Sequence, residues 1–179
     1  KKNFNVPVVW GGPHPTLAPK NVLVNQNIDY VCRGDGEEPL YELVKSLDEF
    51  ERNGNNSHEE IVGLTYRDNG KIISNPDTPV AKRKKIADWR DIPYELISSY
   101  SYHRFNSKDK IFPVLTSIGC PHLCTFCYLS ASSMRQKWLY YDPEDIVEYF
   151  SYMIEKFNVN YFSVIDNDFF VNIKRARNM

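Results

Sequence analysis

Short apolar runs and a helical repeat of apolar positions alternate along the first third of the chain. Residues 6–10 (VPVVW) and 28–34 (IDYVCRG) are typical of buried parallel strands, and a weak helix is predicted over about 16–25. A longer helix is predicted within GDGEEPLYELVKSLDEF, where acidic residues occupy the first turn. Its apolar positions fall at i, i+3, i+4 and i+7: Leu40, Leu43, Val44 and Leu47. This order of strands and helices predicts a parallel α/β sheet.

The pattern changes after residue 50. The segment ERNGNNSHEE is polar throughout, and IVGLTYRDNGKIISNP alternates about DNG, which predicts a β-hairpin. The stretch that follows is charged and interrupted by prolines, and we interpret its KRKK run at 82–85 as a solvated loop rather than a binding patch. Residues 51–110 are therefore predicted to form a linker with a small β-hairpin.

Residues 111–179 return to an α/β pattern. IFPVLTSIG at 111–119 and NYFSVIDNDFF at 160–170 are predicted strands. The helix between them is predicted to begin at Pro143, with Asp142 as its N-cap. Its predicted buried face consists of Ile146, Val147, Phe150, Ile154 and Phe157.

The composition of the chain limits the classes of partner that we expect. Hydrophobic residues make up 42% of the chain, and 22 basic residues against 23 acidic residues leave a net charge of −1. Nothing in this balance favours nucleic acid or an anionic membrane as a partner. No apolar run reaches the roughly 20 residues of a membrane-spanning helix. The chain lacks an initiator methionine and ends directly after a predicted strand, so we expect it to be a piece of a longer protein.

Three of the four cysteines lie close together, in SIGCPHLCTFCYL. Tight clustering favours a metal in a reducing, cytoplasmic compartment over a disulfide framework. Cys120, Cys124 and Cys127 have the spacing C-x3-C-x2-C, and three interpretations compete. A zinc site needs a further ligand, for which only His122 and His103 lie near in the sequence. Buried metal-free thiols are a second interpretation, and an iron–sulfur cubane with one open iron is the third.

The same loop resembles the radical S-adenosylmethionine enzymes, since a strand precedes it and an aromatic residue, Phe126, stands before the last cysteine. The resemblance implies that Cys120, Cys124 and Cys127 hold a [4Fe–4S] cluster whose open iron chelates S-adenosylmethionine, with Phe126 at the cofactor. A reduced cluster would release methionine and a 5′-deoxyadenosyl radical that abstracts hydrogen from a small-molecule substrate. An electron donor such as flavodoxin or ferredoxin is implied as partner.

The first half resembles the cobalamin-binding domain that precedes the barrel in one subfamily of these enzymes. There a GG pair closes a strand, and a stretch like R-G-E-G-E follows; this chain has Asp35 in place of the first glutamate. The resemblance implies that Gly11 and Gly12 let the backbone approach cobalamin at the sheet edge. Without the resemblance, a tight strand-to-helix turn that binds no ligand is the favoured explanation of the glycines. We interpret His14, which follows the glycines, as a turn residue.

The acidic residues of VIDNDFF follow a predicted barrel strand. Family members often carry an acidic pair before a phenylalanine here, so the resemblance implies that Asp166 and Asp168 contact S-adenosylmethionine at the barrel rim. A loop-capping role for both carboxylates is the alternative. No residue is assigned as catalytic.

These observations predict an α/β fold in three parts. Residues 1–50 are the C-terminal part of a Rossmann-like cobalamin-binding domain, 51–110 the linker, and 111–179 the first β/α units of a TIM-like radical S-adenosylmethionine barrel. We expect a cobalamin-dependent C-methyltransferase or a related radical reaction such as oxidative ring cyclisation. We also expect the chain on its own to be inactive. The alternative from another class is a non-catalytic zinc- or corrinoid-binding module.

Overall fold

The chain is described by a computed structural model for residues 6–54, 57–77, 86, 88–97, 108–130 and 137–179. It divides into two compact units. The first consists of Lys1–Lys82 with Leu123–Arg135, and the second of Arg83–His122 with Gln136–Met179. The predicted loop at 82–85 and His103 lie outside the described residues.

The first unit contains a sheet of four strands in the order β1-β2-β3-β4. These strands are β1 (Val9–Trp10), β2 (Tyr30–Cys32), β3 (Leu64–Asp68) and β4 (Lys71–Ser74). Its helices are α1 (Pro13–Leu17), α2 (Pro19–Leu23) and α3 (Glu37–Asn53). β1 and β2 are parallel, as predicted, but β3 pairs antiparallel with β2. The predicted parallel pair is therefore confirmed, and the hairpin strands extend it into a mixed sheet.

The predicted hairpin is confirmed by its turn geometry. Asn69 and Gly70 both have positive φ, at 46° and 78°, which is the geometry of the two-residue turn that DNG favours. The hairpin joins the sheet through β3 because Tyr30, Val31 and Cys32 pair with Tyr66, Thr65 and Leu64. The domain boundaries proposed at residues 50 and 110 stay a prediction.

Helix α3 packs one narrow stripe against the sheet. Glu37 and Glu38 occupy its first turn, and Gly54 ends it in the left-handed conformation at φ 74°, so both ends carry the expected signals. Leu43 is fully buried in a cluster with Leu64, whereas the predicted positions Leu40 and Val44 are 45% and 57% exposed. The prediction is wrong for these two positions, because the stripe that faces the sheet follows Pro39, Leu43 and Ser46.

The second unit contains two pairs of strands. β5 (Ile111–Val114) is parallel to β8 (Tyr161–Val164), and β6 (Ser117–Ile118) is antiparallel to β7 (Leu139–Tyr140). Its helices are α4 (Pro143–Phe157) and α5 (Ile173–Asn178). β5, α4 and β8 follow the predicted strand–helix–strand order. Asp142 and Pro143 take the predicted positions at the start of α4, although the Asp142 side chain makes no capping hydrogen bond.

Aromatic side chains form the core of the second unit. Ile146, Tyr149 and Met153 are the buried residues of α4, and the Tyr149 ring stacks on Trp89 at 4.9 Å. The predicted positions Val147 and Ile154 are 58% and 50% exposed, so the predicted face is wrong at these two positions. The buried face instead includes Tyr149, whose hydroxyl hydrogen-bonds to the Tyr94 hydroxyl at 2.6 Å. No helix in the described ranges is long and apolar enough to cross a bilayer.

Candidate functional site

The carboxyl ends of β5 and β8 bring two segments together that are far apart in the sequence. The strands pair in register, with Val114 opposite Val164. The chain continues from β5 into Thr116 and Ser117 and then into the cysteine loop. It continues from β8 into Asp166. Active sites of barrel enzymes form at this end of parallel strands.

Asp166 binds the start of the cysteine loop through four hydrogen bonds. Its Oδ1 accepts from the backbone N–H groups of Thr116 and Ser117 at 2.6 and 3.0 Å. Its Oδ2 accepts from the hydroxyls of the same residues at 2.5 and 2.7 Å. Thr116 and Ser117 are fully buried. The contact of Asp166 with S-adenosylmethionine stays a prediction, and this geometry assigns it a structural task.

Arg175 completes this network, and sequence reasoning missed it. Its Nη2 donates to the Thr116 carbonyl at 2.7 Å, and its Nε donates to the Tyr141 carbonyl at 3.1 Å. Only 4% of Arg175 is exposed, and burial lowers the pKa of its guanidinium although the Asp166 charge opposes this effect. We call Asp166, Thr116, Ser117 and Arg175 the Asp166 network. The available sequence signal for this network was the pair of hydroxyl residues, Thr116 and Ser117, at the end of an apolar strand. That pair does not indicate which residues it contacts.

The cysteine loop begins with a conformational constraint and continues into a tight turn. Gly119 has φ 79°, a left-handed conformation that favours glycine, directly before Cys120. Further along, the Cys127 N–H donates to the Cys124 carbonyl at 3.0 Å. Phe126 lies within this turn and is 93% exposed. All three thiols are free: Cys120 and Cys127 are partly buried and Cys124 is exposed.

This donor set fits an iron–sulfur cluster by its chemistry, because such clusters are held by cysteine thiolates and none of these three cysteines forms a disulfide. The interpretation as buried metal-free thiols is not favoured by their exposure. Cys120 belongs to the second unit, and Cys124 and Cys127 belong to the first. Their role as cluster ligands, and the contact of Phe126 with the cofactor, stay predictions.

Asp168 contacts the loop through His122. Its Oδ2 lies 3.1 Å from His122 Nε2, while its Oδ1 accepts from the Phe170 N–H at 2.9 Å. The second contact caps the short helix Phe169–Val171, which is the alternative role that the sequence left open for Asp168. The contact of Asp168 with S-adenosylmethionine stays a prediction. One ligand atom each of Cys120, His122 and Asp168 lie within 4.8 Å of one another.

The glycine turn lies at the carboxyl end of β1 in the first unit. Gly12 has φ 103° and ψ −175°, a conformation that is essentially restricted to glycine, and nothing lies within 4 Å of an added Cβ. The buried Thr16 hydroxyl donates to the Gly12 carbonyl at 2.7 Å and accepts from the Gly34 N–H at 3.0 Å. Thr16 therefore links the turns that follow β1 and β2. His14 is exposed in α1, and the contact of Gly11 and Gly12 with cobalamin stays a prediction.

No protein-family model matches the chain. An uncharacterised methyltransferase of Pyrococcus horikoshii is 32% identical over 176 residues, which cover 97% of this chain and 36% of that protein. The anaerobic magnesium-protoporphyrin IX monomethyl ester cyclase of Synechocystis is 25% identical over 169 residues, which cover 94% of this chain and 32% of the cyclase. The chain thus spans about a third of the length of these relatives.

A solved structure shares the fold. The radical S-adenosylmethionine methyltransferase TsrM of Kitasatospora setae matches 99% of this chain with a TM-score of 0.68, at 18% identity and over 33% of its own length. Structures of TsrM contain cobalamin and a [4Fe–4S] cluster, or tryptophan and an analogue of S-adenosylmethionine. Together with the cysteine and glycine motifs, these similarities confirm the resemblance of the chain to the cobalamin-binding family of radical S-adenosylmethionine enzymes.

Proposed function

We propose that the chain is part of a cobalamin-dependent radical S-adenosylmethionine methyltransferase. In this proposal residues 1–50 end a Rossmann-like cobalamin-binding domain, 51–110 link the domains, and 111–179 begin the barrel. The relative from Pyrococcus horikoshii, which matches 97% of the chain and is named a methyltransferase, supports the proposal. TsrM, which binds cobalamin and a [4Fe–4S] cluster, supports the choice of cofactors.

The observation that carries the proposal is the cysteine loop after strand β5, with three free thiols and a buried network at its start. Cys120, Cys124 and Cys127 would hold the [4Fe–4S] cluster. When bound, the cluster supplies one electron for the reductive cleavage of S-adenosylmethionine, and cobalamin supplies the methyl carrier. The remaining task of the chain is to hold the thiolates and the cofactor in place.

The Asp166 network holds the start of the loop. Two backbone N–H groups and two hydroxyls converge on one carboxylate, so the strand end before Gly119 and Cys120 is constrained. A cluster ligand must keep its orientation through a redox cycle, and hydrogen bonds behind the ligand provide that orientation. We assign Asp166 as a positioning residue for Cys120.

Two further sets of residues take the roles that the family resemblance implies. The exposed Phe126 ring and Asp168 would contact S-adenosylmethionine beside the loop. Gly11 and Gly12 would let the backbone approach cobalamin, since no atom lies within 4 Å of the Cβ position at Gly12. The electron donor would be a flavodoxin or ferredoxin.

Methyl transfer to an unactivated carbon of a small molecule is the reaction that we propose. Oxidative ring cyclisation is a second candidate, because the Synechocystis relative is named as a cyclase. S-adenosylmethionine with a trideuterated methyl group distinguishes the two in the reconstituted full-length protein. Methyl transfer puts the deuterium into the product, whereas cyclisation gives an unlabelled product.

The cluster itself can be tested on this chain. After anaerobic reconstitution with iron and sulfide, the reduced chain should give an electron paramagnetic resonance signal that shifts when S-adenosylmethionine is added. Cys124→Ala should abolish the signal. Cys32→Ala is the matched control, because Cys32 is buried in β2 and is not part of the C-x3-C-x2-C motif. A chain without iron and acid-labile sulfide, or a signal that survives in Cys124→Ala, would contradict the proposal.

A further inference from the structure

We propose that Cys120, His122 and Asp168 form a second metal site, which takes one thiophilic divalent cation, Zn²⁺ or Fe²⁺, when no cluster is bound. One ligand atom from each residue lies within 4.8 Å of the other two. All three residues belong to the second unit. They are the one group of three or more potential ligands of this kind found in the described part of the chain.

The donor set is one that zinc and ferrous iron accept. A thiolate, an imidazole and a carboxylate bind zinc at about 2.0–2.3 Å, so ligand atoms around one ion lie about 3–4 Å apart. His122 Nε2 and Asp168 Oδ2 are already 3.1 Å apart, and the 4.8 Å limit leaves Cys120 a small adjustment. Three protein ligands leave one coordination position open for water, as in catalytic rather than structural zinc sites.

The carboxylate and the thiol are held by contacts outside the site. Asp168 Oδ1 accepts from the Phe170 N–H at 2.9 Å, which orients Oδ2 towards His122. Cys120 follows Gly119, whose backbone conformation is constrained, and the loop start is bound by Asp166. His122 is 59% exposed in its side chain, so a cation can reach the imidazole without a conformational opening.

This site and the cluster share one ligand. Cys120 cannot serve a mononuclear cation and the cluster at once, whereas Cys124 and Cys127 take no part in the mononuclear site. The competition for Cys120 rests on the proposed function, but the cation site does not. A bound zinc ion would therefore block cluster assembly until it is removed.

Cobalt is the probe for the site because it follows zinc chemistry and absorbs visible light. Anaerobic titration of the reduced, cluster-free full chain with Co²⁺ should give d–d bands and a thiolate charge-transfer band at one equivalent. Zn²⁺ should remove both. Cys120→Ser should abolish the charge-transfer band, and His122→Ala and Asp168→Asn should weaken Co²⁺ binding at least about tenfold. Asn at position 168 can still cap Phe170, so this variant tests the ligand rather than the fold.

The matched controls are Cys124→Ser and Cys127→Ser, which should bind Co²⁺ as the unaltered chain does. Loss of binding in these two variants would overturn the inference, because the cation would then belong to the cysteine set. Full binding in both His122→Ala and Asp168→Asn would overturn it as well. Cluster formation, unlike Co²⁺ binding, should require Cys124 and Cys127. The experiment can therefore distinguish a chain that forms no cluster from a chain that lacks the cation site. Zinc added first should slow cluster formation in the unaltered chain but not in His122→Ala.

Discussion

Replacing Asp166 by alanine should destabilise the second unit strongly. The change removes both carboxylate oxygens and therefore all four acceptor contacts to Thr116 and Ser117. The two hydroxyls can rotate towards other acceptors, but the two backbone N–H groups are fixed in the loop. Both residues are fully buried in the intact chain, so their N–H groups depend on the carboxylate as acceptor.

The magnitude follows from the two orphaned donors. A buried donor left without a partner costs about 1–3 kcal/mol, which gives about 2–6 kcal/mol for two backbone N–H groups. This is a large fraction of the roughly 5–15 kcal/mol that stabilises an ordinary domain. Asp166→Asn keeps one carbonyl oxygen for the N–H groups, and its amide can donate to the hydroxyls. We therefore expect the asparagine variant to lose less than half as much as the alanine variant.

Urea unfolding followed by tryptophan fluorescence measures this cost. A Trp10→Phe background leaves Trp89 and Trp138 as the reporters, both of which belong to the second unit. Asp68→Ala is the control, because Asp68 is exposed in the hairpin of the first unit and should change stability by no more than about 0.5 kcal/mol. A loss below about 1 kcal/mol for Asp166→Ala would refute the reasoning. Equal losses for alanine and asparagine would show that the charge, rather than the acceptor geometry, stabilises the loop.

Three further predictions concern other parts of the fold. Burial lowers the pKa of His58, so below about pH 6.5 the unfolded chain takes up a proton that the folded chain does not. The free energy of unfolding, measured with urea, should therefore fall as the pH drops below about 6.5. If the unaltered chain and His58→Gln showed the same dependence on pH, this explanation would be wrong. Tyr149→Phe removes the hydroxyl that lies 2.6 Å from the buried Tyr94 hydroxyl, and the free energy of unfolding should fall by about 1–3 kcal/mol in the same assay. An unchanged unfolding midpoint would show that this hydrogen bond contributes nothing to stability. Gly12→Ala should lower the free energy of unfolding by about 1–3 kcal/mol, because Gly12 has a positive φ. Gly11→Ala should lower it less, because an added Cβ would meet only the Cys32 carbonyl oxygen, at 3.6 Å. The reverse order of the two losses would refute the conformational explanation.

The cysteine loop and the hairpin were predictable because their signals are local. The three cysteines lie within eight residues, so the spacing that a cluster requires is visible without knowledge of the fold. The DNG turn likewise carries its own backbone requirement, and Asn69 and Gly70 adopt it. The strand–helix order of both halves also follows from the period of apolar positions along the chain.

Helix faces were predicted less well, because the repeat of apolar positions contains no information about the tertiary contacts of each side chain. On α4 the pattern favoured Val147 and Ile154, yet the buried position is Tyr149. Its hydroxyl hydrogen-bonds to the Tyr94 hydroxyl, 55 residues away in the sequence, and this bond offsets the free-energy cost of burying the polar group. No local rule could select Tyr149 over its apolar neighbours.

Local patterns of residues were enough to predict the order of strands and helices, the cysteine loop and the family that its motifs resemble. The contacts of Asp166 and Asp168 beside that loop, by contrast, depend on the tertiary fold. Asp166 meets Thr116, 50 residues earlier, because β5 and β8 pair in one register, and Asp168 meets His122 for the same reason. A shift of that register by one residue would turn these side chains to the opposite face. Contacts of this kind depend on strand pairing between distant segments, which spacing along the chain does not encode.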